Sequence, residues 1–230
     1  MVNNMKGKLD ALFSEIKNGN NLGEKITLVG ATKTKDVETI NLAVSYGLEV
    51  VAENRVQEFI AKRDFISEKA RQHFIGRLQT NKVKYLVGKV ELIQSVDSLK
   101  LAEIINKTAE KLGVIQDVLL EVNVGEEESK GGFSVEELIS IAKQMLTLPY
   151  INVKGIMAML PKSDDEVFLS SLCVKARNLF ERLKDVCKNA EYLSMGMSND
   201  YKIAIKNGSN MIRLGKTIFG ERGENINGIF

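Results

Sequence analysis

The segment KITLVGATKTKDVETINLAVSYGLEVVAE, residues 25 to 53, holds a complete strand–helix–strand unit. Residues 25–32 form a short run of apolar and β-branched residues, 37–47 space their apolar residues for a helix and end on glycine, and 48–53 return to a strand-like run. A strand that passes through a helix before the next strand joins it in parallel, because a parallel pair needs a long crossover. The unit also raises a chemical question, since a lysine, Lys33, closes an otherwise apolar strand.

Outward from this unit the alternation repeats. Further strands are expected at 71–76, 90–96, 116–124, 150–159, 190–195 and 210–215, making eight. Helices are expected at 56–70, 81–89, 99–113, 135–149, 166–188 and 201–208, with a brief helical turn after the last strand. Several of them end at a glycine or just before Pro149. The fold class this implies is α/β, a single (β/α)8 TIM-type barrel, with an open doubly wound sheet as the competitor. An extra N-terminal helix near residues 5–17 aligns Met5, Leu9, Leu12, Phe13 and Ile16 on one face and is expected to plug or flank the bottom of the barrel.

Composition narrows the function classes. With 230 residues, 44% hydrophobic and 27% charged, the chain supports one domain over 1–230. A net charge of +2, from 32 basic against 30 acidic residues, offers no electrostatic footprint for nucleic acid or an anionic membrane. No run of about eighteen apolar residues is present and MVNNMKGKLD lacks a signal-peptide core, so a cytoplasmic location is expected. Cys173 and Cys187 lie on one predicted helix, about 21 Å apart at its rise per residue, and are expected to be two reduced, half-buried thiols. GEEESKGG, 125–132, reads as a solvated loop.

A barrel of this kind carries its chemistry at the C-terminal ends of its strands. The polar residues expected there are Lys33; Glu53 and Asn54; His73, leading to Arg77 and Gln79; Ser95 and Asp97; and Asn123. After the last two strands come SMGMSND, 194–200, and RLGKTIFG, 213–220, which supply glycines for close backbone approach, hydroxyls at Ser198 and Thr217, and a cation at Arg213. That position and chemistry suit a phosphate. Lys33, desolvated at the rim, has the amine to form a Schiff base with a phosphorylated aldehyde held by loops opposite it. Snorkelling to solvent is the plain alternative for Lys33, and Lys35 is expected to face solvent.

The motifs GATKTK (30–35), AENRVQE (52–58), HFIGRLQTNK (73–82), SVDS (95–98), LEVNVGEEESKGGF (120–133), GIMAM (155–159) and LSMGMSNDYKIAIKNGSNMIRLGKTIFGER (193–222) occur in this order. Together they resemble the pyridoxal phosphate homeostasis protein family, whose barrel is alanine racemase-like, and the likeness runs from Ile26 to Arg222. The resemblance implies that Lys33 holds pyridoxal 5'-phosphate as an internal aldimine. It implies further that Ser198, Gly215 and Thr217 cradle the phosphate, that Arg213 approaches the ring nitrogen or phosphate, and that Asn54 and His73 line the pocket. Thr32 and Ala52 stand where members commonly have serine and glycine, small departures that leave the lysine and asparagine in place.

The function implied is intracellular cofactor homeostasis: reversible binding, buffering and delivery to pyridoxal phosphate-dependent apo-enzymes, with no robust catalytic activity, no metal, no nucleic acid and no membrane. Full-length racemases add a second domain that supplies a tyrosine base, and a chain ending ten residues after Gly220 is expected to leave it out. The alternative is a single-domain pyridoxal phosphate-dependent amino-acid racemase, for which Tyr201 is the tyrosine to watch. A Schiff-base aldolase acting on a sugar phosphate shares the lysine and the phosphate loops.

Overall fold

A computed structural model describes residues 2–126 and 131–220. Eight parallel strands close into one barrel in sequence order: β1 (Thr27–Ala31), β2 (Val50–Glu53), β3 (Arg71–Phe74), β4 (Leu92–Val96), β5 (Gln116–Val122), β6 (Ile151–Ala158), β7 (Tyr192–Ser194) and β8 (Met211–Leu214). All eight expected strands are present and the open sheet is excluded, because β1 pairs with both β2 and β8. The helices are α1 (Val2–Ile16), α2 (Val37–Ser45), α3 (Val56–Lys62), α4 (Leu99–Leu112), α5 (Leu138–Met145), α6 (Glu166–Val186), α7 (Tyr201–Lys206) and α8 (Lys216–Phe219). Asp36 caps α2 through Oδ1, which accepts from Thr39 N at 2.7 Å, and so fixes where the loop carrying Lys33 ends.

Two expected helices differ. The segment 81–89 forms a 3-10 helix over Thr80–Tyr85, since only a few residues lie between the β3 loop and the positive-φ turn at Gly88, too few to offset α-helix nucleation. The helix expected over 56–70 ends at Lys62 and passes into one 3-10 turn, Arg63–Phe65.

The barrel interior is filled by Val29, Val50, Ala52, Leu92, Leu119, Met157 and Met211. The N-terminal helix does not plug it. Met5, Leu9, Leu12 and Ile16 belong to an outer cluster with Ile40 and Val44 of α2, Ile218 and Phe219 of α8, Leu28 of β1, and Ile212 and Leu214 of β8. The reason is the length of α8: a single turn cannot cover the outer faces of β8 and β1, so α1 supplies the missing helical cover.

Cys173 and Cys187 are free and fully buried rather than half-buried. Burial pushes the Cys173 thiol up to about 12, and Cys187 Sγ donates to the Val153 carbonyl at 3.1 Å, so both behave as core residues. Among the described residues no helix is long and apolar enough to cross a membrane. Of the loop expected at 125–132, residues 127–130 lie outside the described residues.

Candidate functional site

The site is built from the C-terminal mouth inward. Val29 fills the barrel while Thr32 turns outward, its hydroxyl 2.6 Å from Glu53 Oε1, and Lys33 follows in the turn just beyond the C-terminal end of β1, at the mouth. Lys35 is half-buried, as Lys33 is, rather than turned to solvent, and its N–H bonds the Thr32 carbonyl at 3.0 Å to close a tight turn. Beside it, Asn54 presents a buried Oδ1 that finds no hydrogen-bond partner among the described residues. Gly76 packs against the backbone here: a Cβ would fall 1.9 Å from the Asn54 carbonyl oxygen, which is why HFIG needs its glycine.

The two loops proposed for phosphate do converge. Ser198 Oγ accepts from Thr217 N at 3.3 Å, tying the loop after β7 to the start of α8. Gly196 sits at φ 99°, where a Cβ would come within 2.8 Å of Ala204, and its carbonyl accepts from Arg213 N at 3.0 Å. Gly215 abuts Ala31 of β1. Because the barrel closes β8 onto β1, these loops lie beside the strand of Lys33, not opposite it.

Below the loops lies Arg213, only 6% exposed. Nη1 donates to Ser194 Oγ at 2.7 Å and Nη2 to the Ala158 carbonyl at 3.0 Å. The Ser194 hydroxyl donates onward to Gln94 Oε1 at 2.7 Å, and Gln94 Nε2 lies 3.1 Å from His73 Nδ1. His73 Nε2 in turn lies 3.5 Å from Glu91 Oε1, at the base of β4. A guanidinium only donates, so the direction of every link is set, and His73 carries its proton on Nε2. Burial keeps the imidazole neutral by pulling its pKa down, although Glu91 pulls the other way. His73 therefore sits deep in the barrel, below the mouth expected for a pocket residue.

Burial also brings the Arg213 guanidinium down to about 10, with the charges of Asp200 and Glu121 opposing that fall. Among the described residues its direct partners are a hydroxyl and a carbonyl, with no carboxylate in contact. Glu121 faces the same space, raised by burial and by Asp97 and lowered by Arg213 and Arg77. Tyr201 is elsewhere: its hydroxyl donates to Glu15 of α1 at 3.0 Å, and burial and that carboxylate push it up to about 12.

Pyridoxal phosphate carries its aldehyde and its phosphate-bearing arm on neighbouring ring carbons. An amine in the turn after β1, next to the hydroxyls and backbone of the loops after β7 and β8 and above a buried guanidinium with no carboxylate in contact among the described residues, fits that group.

The chain matches the family described as alanine racemase, N-terminal domain, over residues 8–223. A pyridoxal phosphate homeostasis protein of Aquifex aeolicus is 45% identical over 197 residues, covering 85% of this chain and 86% of that one. The chain belongs to the pyridoxal phosphate homeostasis protein family. A solved structure of similar sequence within reach of this family, PipY of Synechococcus elongatus with pyridoxal phosphate bound, is 28% identical with a TM-score of 0.85 and covers 94% of this chain and 100% of its own. An alanine racemase of Clostridium difficile shares the fold, with a TM-score of 0.78 at 17% identity, and this chain matches 57% of its length.

Sequence reading missed Gln94 and Glu121, whose only signal is a polar residue facing inward within a buried strand. It also missed Lys62, which looks in sequence like a surface partner of Glu58 four residues earlier on one helix.

Proposed function

We propose that this chain binds pyridoxal 5'-phosphate reversibly through Lys33, buffers it and hands it to apo-enzymes, without a robust catalytic activity of its own. The single observation that carries the reading is Arg213, a buried cation on β8 with no carboxylate in contact among the described residues, set below the loops after β7 and β8 and one strand from that of Lys33. The curated relatives, named as homeostasis proteins, and the PipY structure with the cofactor bound support it.

In this reading Lys33 supplies the amine, while Ser198, Gly215 and Thr217 receive the phosphate. Asn54 offers a donor in the pocket a side-chain oxygen that has no hydrogen-bond partner among the described residues. When bound, the cofactor supplies an aldehyde that captures amines and a ring that acts as an electron sink. Arg213 can only donate hydrogen bonds, so beside a ring nitrogen it keeps a proton off that atom and weakens the sink. Two-base proton exchange also needs a group on each face, and Tyr201 is committed to Glu15 on the outside of the barrel. Both features favour a carrier over a racemase.

The test is the visible absorbance of bound pyridoxal phosphate. It is expected to survive purification and to vanish in Lys33→Ala; an unchanged spectrum would overturn the role of Lys33. Solvent deuterium entering the α-carbon of alanine at ordinary enzyme rates would overturn the carrier.

A further inference from the structure

Behind the mouth, on the outer side of the barrel, four side chains converge on the turn that carries Lys33. Lys62 of α3 donates to Glu53 Oε1 at 2.8 Å, to Glu58 Oε2 at 2.8 Å and to the Thr32 carbonyl at 3.3 Å. An ammonium has three protons, so these contacts use all of them. Glu53 Oε1 also accepts from the Thr32 hydroxyl at 2.6 Å, and Glu58 Oε2 accepts from Thr34 N at 2.8 Å. The Lys62 side chain is 13% exposed and that of Glu53 3%, which makes this the most deeply buried carboxylate–lysine pair of those described.

The turn held by this cluster is strained. Thr34 sits at φ 63°, a left-handed conformation that a β-branched residue adopts at a cost of about 1–3 kcal/mol. Glycine is the usual occupant of such a position, and threonine is held there by what bonds its N–H, namely Glu58. A buried ion pair contributes little net stability compared with apolar packing, because desolvation offsets the attraction. Its geometric effect is larger: one ammonium fixes the ends of β1 and β2 against α3.

We propose that Glu58 and Lys62 are positioning residues that hold Lys33 at the barrel mouth by bracing the Thr32–Lys35 turn from outside. The proposal rests on Lys33 being the cofactor lysine. It goes further in assigning that lysine's placement to two residues of α3 that bond the backbone of its turn. The strain at Thr34 and the acceptor at Glu58 form a matched pair, so relieving the first should remove the need for the second.

Removing Lys62 strands a buried carboxylate and threatens folding, so the test uses Glu58. Pyridoxal phosphate is titrated into wild type, Glu58→Ala, and Glu58→Ala with Thr34→Gly, following visible absorbance. Apoprotein melting and hydrogen exchange at the Thr34 amide are measured alongside. Glu58→Ala is expected to raise the half-saturating concentration about tenfold and to speed exchange at Thr34, with melting close to wild type. Thr34→Gly in that background is expected to restore binding to within about threefold of wild type, since glycine adopts the turn without the acceptor. The brace is overturned if Glu58→Ala binds as wild type does, or if the double variant stays as weak as Glu58→Ala. Lys33→Ala run in parallel separates the two ideas: a band lost there but unaffected by Glu58→Ala sinks the brace and leaves Lys33 in place, whereas a band kept in Lys33→Ala sinks the role of Lys33 and the brace with it.

Discussion

Two polar networks serve different strands of the one barrel, an inner one linking β3, β4, β7 and β8 and an outer one joining the ends of β1 and β2 to α3, and they are built on opposite rules. The inner chain runs from Glu91 through His73, Gln94 and Ser194 to Arg213 and is made largely of neutral links ending in one buried cation. The outer cluster around Lys62 sets charge directly on charge, two carboxylates sharing one ammonium. The inner network leaves positive charge at its upper end, where an anionic or acceptor ligand completes it. The outer one ties the Thr32–Lys35 turn to β2 and α3 through Lys62, with Glu53 Oε2 alone left without a hydrogen-bond partner among the described residues. Whether the cation touches a carboxylate thus separates a network poised for a ligand from one that fixes the backbone.

Breaking each network tests the distinction. The largest stability loss is expected for Lys62→Met, about 3 kcal/mol in chemical denaturation of the apoprotein, because Glu53 would be left buried without its cation. Burial already raises Glu53, against the hydrogen bonds from Lys62 and Thr32. A folded-state pKa above the unfolded value means that stability falls as pH rises past 4.5, and Lys62→Met lifts that pKa further, so its deficit should shrink in acid. A deficit that does not change with pH would show that lost packing, not charge, is responsible.

Next comes Gln94→Leu, expected to cost about 2 kcal/mol, because the Ser194 hydroxyl and His73 Nδ1 lose their partners together. It should also weaken pyridoxal phosphate binding by loosening Arg213. Lys62→Met at matched stability should weaken binding through the Lys33 turn while leaving Arg213 untouched. Equal effects of Gln94→Leu and a surface substitution would remove the inner chain from the account.

The smallest effect is on pH. His73 is held neutral, its folded-state pKa below the ordinary 6.5, so the unfolded chain takes up a proton that the folded one does not. The stability this gives is present above pH 6.5 and is lost as pH falls, by at most about 1.4 kcal/mol per unit. Denaturation midpoints measured between pH 7.5 and 5.5 should show the slope, and His73→Asn should flatten it.

Much of this was legible in the sequence because it is written in local periodicity. All eight strands, the mouth position of Lys33 and the paired loops at 194–200 and 213–220 follow from alternating strand and helix patterns. The short helix at Thr80–Tyr85 and the outer seat of α1 were not legible, since each depends on how much surface a neighbouring element leaves uncovered. Tyr201 shows the same limit: its spacing left it open as a base, and only packing against α1 commits its hydroxyl to Glu15.

By itself, then, the sequence determined the barrel, its order and the lysine at its rim, because hydrophobic period and turn residues act over a few positions at a time. Only the tertiary structure decided that the loops after β7 and β8 stand beside the strand of Lys33, that Arg213 is buried with no carboxylate in contact among the described residues, and that Lys62 joins Glu53, Glu58 and Thr32. Those facts depend on ring closure and on inward or outward direction, which bring together residues as far apart as Ala31 and Gly215. Local pattern sets what each segment becomes; closure sets which charges share a low-dielectric space.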